Sequence, residues 1–231
     1  MEKKLKFGVL FSGCGAYDGS EIHEAVSVLL AIDKMNIEAI CIAPNINQHH
    51  VINHLTGEEM AETRNVLVEA ARIARGAIID IEQVNINELD ALIMPGGFGV
   101  AKNFTKWAFE GPAGEILPSV KRLIQAFYSA KKPIGAVCMA PTTIAKALEG
   151  TNAGVQLTIG NTIDKSPYDI AAISGGINQT GNLAVMVSVD DVFVDKANKI
   201  VTSPCYMMEA SISQIYAGAE KTVQKVKELI A

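Results

Sequence analysis

Cysteine is scarce in this 231-residue chain and nowhere paired: Cys14, Cys41, Cys138 and Cys205 lie far apart with no CxxC. That spacing offers neither a disulfide framework nor a structural zinc site, so free thiols are expected. Basic clusters are missing as well. Twenty Lys and Arg are scattered among 25 Asp and Glu, a formal net charge of −5, which argues against nucleic acid or an anionic membrane as the main partner and for small-molecule chemistry. Long apolar runs are absent too. The run 7–11 breaks at Ser12-Gly13, too short for a signal peptide, and no later stretch is long enough to span a bilayer. A cytoplasmic protein is the expectation. No internal repeat or low-complexity segment occurs, and His23, His49, His50 and His54 are the only histidines.

What is present is an α/β pattern with ample apolar residues, 49% of the chain, enough for one large core over 1–231. Residues 5–11 read as a first strand, followed by the glycine-rich loop 12–19 and a helix capped by Ser20, with Ile22, Ala25, Val26, Leu29 and Leu30 as its core stripe. A second strand follows at 37–43. The segment 45–88 reads as an insertion holding His49, His50, His54 and a helix with the apolar face Val66, Leu67, Ala70, Ile73 and Ala74. His50 and His54 are four apart and could share a helix face as metal ligands, but no third ligand accompanies them, so no metal is expected. A third strand, 89–94, ends in Pro95-Gly96-Gly97-Phe98-Gly99, where consecutive glycine N–H groups at a strand's carboxyl end can form an anion-binding nest. The first glycines do not make a dinucleotide site: their spacing is GxGxxxG, and the second strand ends in Ala43-Pro44-Asn45 without a ribose-binding acid. Residues 192–195 and 199–202 suggest a hairpin before a closing helix striped by Ile212, Ile215, Tyr216, Ala219, Val223 and Val226.

The pivotal stretch is Pro133-Ile134-Gly135-Ala136-Val137-Cys138-Met139-Ala140-Pro141. Its apolar half suits a buried parallel strand, and Pro141 fits only the first turn of a helix, so the helix begins within a residue or two of Cys138. Small neighbours at Gly135, Ala136 and Ala140 complete the pattern of a nucleophile elbow. A thiol there faces the positive end of the helix dipole, which favours the thiolate; otherwise Cys138 is a buried small hydrophobe.

The motifs Ser12-Gly13-Cys14-Gly15, Tyr17-Asp18-Gly19-Ser20-Glu21-Ile22-His23-Glu24, Asn53-His54-Leu55-Thr56-Gly57, Pro95-Gly96-Gly97-Phe98-Gly99 and Cys138-Met139-Ala140-Pro141 resemble the ElbB-like proteins. These stand in the PfpI-like branch of the class I glutamine amidotransferase-like superfamily. The resemblance covers nearly the whole chain and implies a flavodoxin-like three-layer α/β sandwich with a mainly parallel sheet, and usually a homodimer. Matched residue by residue, it implies Cys138 at the elbow, Glu24 touching it, and backbone donors at Gly97 and Met139. Gly96 is placed beside these donors, with Cys14 and Cys205 expected near the pocket walls. The chemistry implied is a glutathione-independent glyoxalase, glyoxal to glycolate, or removal of dicarbonyl adducts from proteins, without a cofactor. Two other classes stay open: a non-enzymatic regulatory or redox-sensing protein linked to isoprenoid metabolism, and a structural dimer. A glutaminase or Cys-His protease is not expected, because position 139 is methionine and no histidine follows Cys138.

Overall fold

The computed structural model describes residues 4–230. In chain order its elements are β1 (Lys6–Leu10), α1 (Ile22–Lys34), β2 (Glu38–Ala43), α2 (Val66–Ile73), β3 (Ile78–Asp80), β4 (Ala91–Met94), α3 (Trp107–Glu110), α4 (Pro118–Ser129), β5 (Ile134–Val137), α5 (Ala140–Ala147), β6 (Gln156–Gly160), α6 (Ile170–Gln179), β7 (Leu183–Met186), β8 (Phe193–Asp195), β9 (Ile200–Ser203) and α7 (Ile212–Glu228). The main sheet runs β3-β2-β1-β4-β5-β9-β8, parallel throughout except for the β8–β9 hairpin. Alternation along β1 builds both of its faces. Phe7 and Val9, with Phe11 just beyond, pack against Ala25, Val28 and Ile32 of α1 and Ala219 and Val223 of α7. Leu10 turns to the opposite layer, where Phe104, Ile124, Phe127 and Ile144 gather. The result is the expected flavodoxin-like three-layer α/β sandwich. Strand order reverses beside β1, so the crevice at the carboxyl ends of β1, β4 and β5 is where an open α/β sheet gathers ligands.

Several local expectations are corrected. Residues 66–80 form a helix and an edge strand that extend the sheet through β2–β3 pairing, while 45–65 forms a loop closed by contacts such as Gln48 N–H to Arg64 O at 2.8 Å. The three residues of β3 are too few to show a period. That loop holds no helix, so His50 and His54 share no helix face. Instead His54 stacks on Tyr17 with ring centroids 4.8 Å apart, accepts the Tyr17 N–H at Nε2 and donates from Nδ1 to Ile52 O. Ser20 is not the helix cap: its hydroxyl accepts the Ser12 N–H at 2.9 Å, and Glu21 caps α1 by accepting the Glu24 N–H at 2.7 Å. The α1 stripe is also rotated. Its buried face is Glu24, Ala25, Ser27, Val28, Ala31 and Ile32, whereas Ile22, Val26 and Leu30 are 44%, 51% and 46% exposed. Two polar residues on the inner face defeat a phase assigned by hydrophobicity alone. Among the described residues no helix is long and apolar enough to cross a membrane.

Candidate active site

Cys138 occupies the one-residue joint between β5 and the turn into α5, at φ +58°. A non-glycine residue held in the left-handed region stores on the order of 1–3 kcal/mol, and such strain clusters at functional sites. The conformation is fixed from both sides: the Cys138 N–H donates to Ser203 O at 2.9 Å, and Pro141 lies in the first turn of α5.

Glu24 reaches the same point from the first turn of α1 and is fully buried. Two backbone donors hold its carboxyl, the Gly96 N–H at 3.0 Å on Oε2 and the Tyr206 N–H at 3.2 Å on Oε1. The Cys138 side chain meets this carboxyl directly. Gly96 is obligatory there, since a Cβ on it would lie 2.7 Å from Glu24 Oε2 and 2.9 Å from Cys138 Sγ. Its N–H is committed to Glu24, which corrects the expectation that Gly96 binds an oxyanion. Gly97, at φ +96°, directs its N–H to the Cys138 sulfur. The Met139 N–H belongs to the orphan donors that open α5.

Electrostatically the pair departs from the expectation of a dipole-stabilised thiolate. Burial, then the charge of Glu21, pushes the Glu24 carboxyl up to about 8. Burial, then the charge of Glu24, pushes the Cys138 thiol well above its ordinary range, against the pull of the Gly97 N–H. A helix N-terminus contributes typically 0.3–1 kcal/mol, too little to offset full desolvation of a thiolate next to a carboxylate. The first proton therefore leaves the pair near pH 8 and belongs to both residues.

The thiol opens into a cavity of about 480 Å³ that also receives Glu21, His23, Phe98, Tyr168 and Tyr206. Glu21, His23 and Tyr168 stand outside the set of residues expected at the site. The signal was the spacing Glu21-x-His23-Glu24, which puts one residue inward and its neighbours at the helix mouth. His23 Nδ1 lies 2.9 Å from the Tyr206 hydroxyl and 4.0 Å from Glu21 Oε1, so the loop that holds Glu24 by its backbone holds His23 by its side chain. Cys14 is half-buried and does not line this cavity; burial, then the charge of Glu69, pushes its thiol up. Cys205 is 1% exposed, lies 3.7 Å from Ser203 Oγ and sits beneath the site, not in its wall. Among the described residues no group of three or more His, Cys, Asp or Glu is arranged to hold a metal ion.

No protein-family model matches the chain. It is 39% identical over 230 residues to the mitochondrial ES1 protein homolog of Rattus norvegicus, covering 98% of this chain and 84% of the relative. It is 40% identical over 228 residues to the mitochondrial glutamine amidotransferase-like class 1 domain-containing protein 3 of Homo sapiens, covering 97% and 83%. A crystal structure of an isoprenoid biosynthesis protein with an amidotransferase-like domain from Ehrlichia chaffeensis superposes with a TM-score of 0.89 at 39% identity, covering 98% of this chain and all of that one. These relatives overturn the cytoplasmic expectation, since both curated proteins are mitochondrial by name. That expectation tested for an apolar secretory segment, whereas a mitochondrial address is amphipathic and Arg-rich. As its resemblance to ElbB-like proteins implies, the chain belongs to the family of the ES1 and glutamine amidotransferase-like class 1 domain proteins, on an amidotransferase-like fold.

Proposed function

We propose that the protein is a glutathione-independent glyoxalase-type enzyme, converting glyoxal or a related 2-oxoaldehyde to the 2-hydroxy acid. The supporting observation is the buried Glu24 carboxyl, held by two backbone N–H groups against Cys138 and losing its proton near pH 8. In the singly deprotonated pair the thiolate adds to the aldehyde carbon, and Glu24 protonates the resulting oxygen to give a hemithioacetal. The Glu24 carboxylate then takes the hydrogen of that carbon as a proton and returns it to the neighbouring carbonyl carbon, while the proton of the hemithioacetal hydroxyl passes to the neighbouring carbonyl oxygen, so one carbon is oxidised and the other reduced with no outside oxidant. The thioester formed is hydrolysed by water, which breaks the C–S bond and restores the thiol. Gly97 and Met139 supply amides for the oxyanion, although Gly97 first has to exchange its sulfur contact for the substrate oxygen.

Glutamine hydrolysis needs an imidazole at the thiol, and the group that meets Cys138 is a carboxyl, with the Nδ1 of His23 engaged by Tyr206. Purified wild type, Cys138→Ala, Glu24→Gln, His23→Ala and His54→Ala should be assayed for acid from glyoxal and ammonia from glutamine. Glyoxal turnover lost in the first two variants upholds the dyad; Cys138-dependent ammonia release that needs either histidine overturns it. The regulatory alternative draws on the isoprenoid name of the Ehrlichia relative and is favoured if no aldehyde is turned over. A homodimer is proposed through the outer face of α1, where Ile22, Val26 and Leu30 form an exposed apolar row. Light scattering of the wild type as a monomer at micromolar concentration rejects the pairing.

A further inference from the structure

A second cavity, about 570 Å³, adjoins the first and is lined by Trp107, Ala108, Ala172 and Ile173. Phe98, Met139, Pro167 and Tyr168 line both. Phe98 and Tyr168 meet edge-on across this shared wall, ring centroids 5.8 Å apart, and Met139, whose unbranched side chain adapts readily, directly follows the nucleophile. Drug-sized ligands occupy pockets of roughly 300–1,000 Å³, so the first cavity alone, at about 480 Å³, far exceeds the needs of glyoxal. The two lobes differ in the ionisable side chains that line them. Glu21, His23 and Glu209 belong to the lobe of Cys138 and Asp169 to the outer one, where Trp107, Ala172 and Ile173 supply an apolar wall. Among the described residues neither lobe is lined by a Lys or Arg to neutralise a phosphate.

Resting on the glyoxalase reading, we infer that the preferred substrate is an uncharged 2-oxoaldehyde with an aromatic or branched apolar substituent, its carbonyl end at Cys138 and its tail in the lobe walled by Trp107 and Ile173. The balanced reaction is R–CO–CHO plus water to R–CHOH–COOH, the same internal transfer written above. Phosphorylated aldehydes are excluded on charge, and glyoxal is a minimal substrate that leaves the outer lobe empty.

Trp107 is the only tryptophan in the chain, so its fluorescence reports on this lobe alone. The test compares kcat/KM for phenylglyoxal and glyoxal in wild type, Ala172→Phe and Ala108→Phe, two fillings of the lobe from different helices, each checked for folding by circular dichroism. It also titrates mandelate, the phenylglyoxal product, and glycolate against Trp107 emission. Wild type is expected to favour phenylglyoxal by about tenfold or more, the scale set by burying a few apolar carbons, and each filling to cut that ratio about tenfold. Mandelate should quench Trp107 saturably and glycolate should not. The fluorescence needs no turnover: if neither aldehyde reacts, the glyoxalase reading fails while saturable quenching still upholds an apolar ligand lobe. A wild type that prefers glyoxal, or mandelate without effect on Trp107, overturns the inference and leaves the Cys138–Glu24 chemistry standing.

Discussion

Raising the pH should destabilise the native protein through one proton on Glu24. In the folded state its carboxyl, fully buried, holds that proton up to about 8, against an ordinary value of 4.5. Between those values the folded protein binds the proton and the unfolded chain has lost it, so stability falls as pH rises, fully present below 4.5 and gone above about 8. Each pH unit in the window carries roughly 1.4 kcal/mol, on the order of 5 kcal/mol in all. Glu24→Gln removes the titration while keeping the shape. Its absolute stability is a separate matter, because the amide nitrogen cannot accept the N–H of Gly96 or Tyr206 and leaves one of them unpaired, at about 1–3 kcal/mol. The decisive quantity is therefore a double difference: urea midpoints for both proteins at pH 5, 6.5 and 8, compared as slopes. Glu21, whose carboxyl burial also pushes up, titrates in both and largely cancels. The wild type should lose several kcal/mol relative to the variant across the window. Parallel profiles would refute a protonated Glu24 and with it the shared proton on which the chemistry rests.

The same proton governs the thiol, so iodoacetamide labelling of Cys138 should rise about tenfold per pH unit up to near 8 and level beyond, a break absent in Glu24→Gln. Peptide mass spectrometry should show Cys41, which burial pushes up to about 11, lagging Cys138 throughout; equal rates would refute the assignment. Gly96→Ala should abolish glyoxal turnover and cost about 1–3 kcal/mol by overpacking, because its methyl would sit 2.4 Å from Cys138 Cβ; a fully active variant would show that the thiol and carboxyl need not lie this close. If α1 pairs with a second copy, Val26→Asp should give monomers by light scattering with the circular dichroism spectrum unchanged, since Val26 is 51% exposed in the single chain; an unshifted dimer would place the interface elsewhere.

The sequence by itself determined the elbow, because each of its requirements is local. A short apolar strand, small residues at Gly135 and Ala136 and a proline confined to a first helical turn leave Cys138 nowhere but the joint. It likewise determined the Pro95–Gly99 turn at a strand end and the β8–β9 hairpin, whose signals lie within a few consecutive residues. Tertiary structure decided the rest. Apolar residues on several faces of α1 left its phase open, and packing against β1 and α7 turned Glu24 inward while Val26 and Leu30 turned out. Only folding brings the Tyr206 N–H, 182 positions away, to the Glu24 carboxylate, or leaves Cys14 out of the cavity wall it was expected to join. The protonation of the site belongs to the same class. A helix dipole can be read from a strand-turn-helix pattern, but the desolvation that outweighs it depends on every chain segment that closes over the pair, and those segments come from all along the sequence.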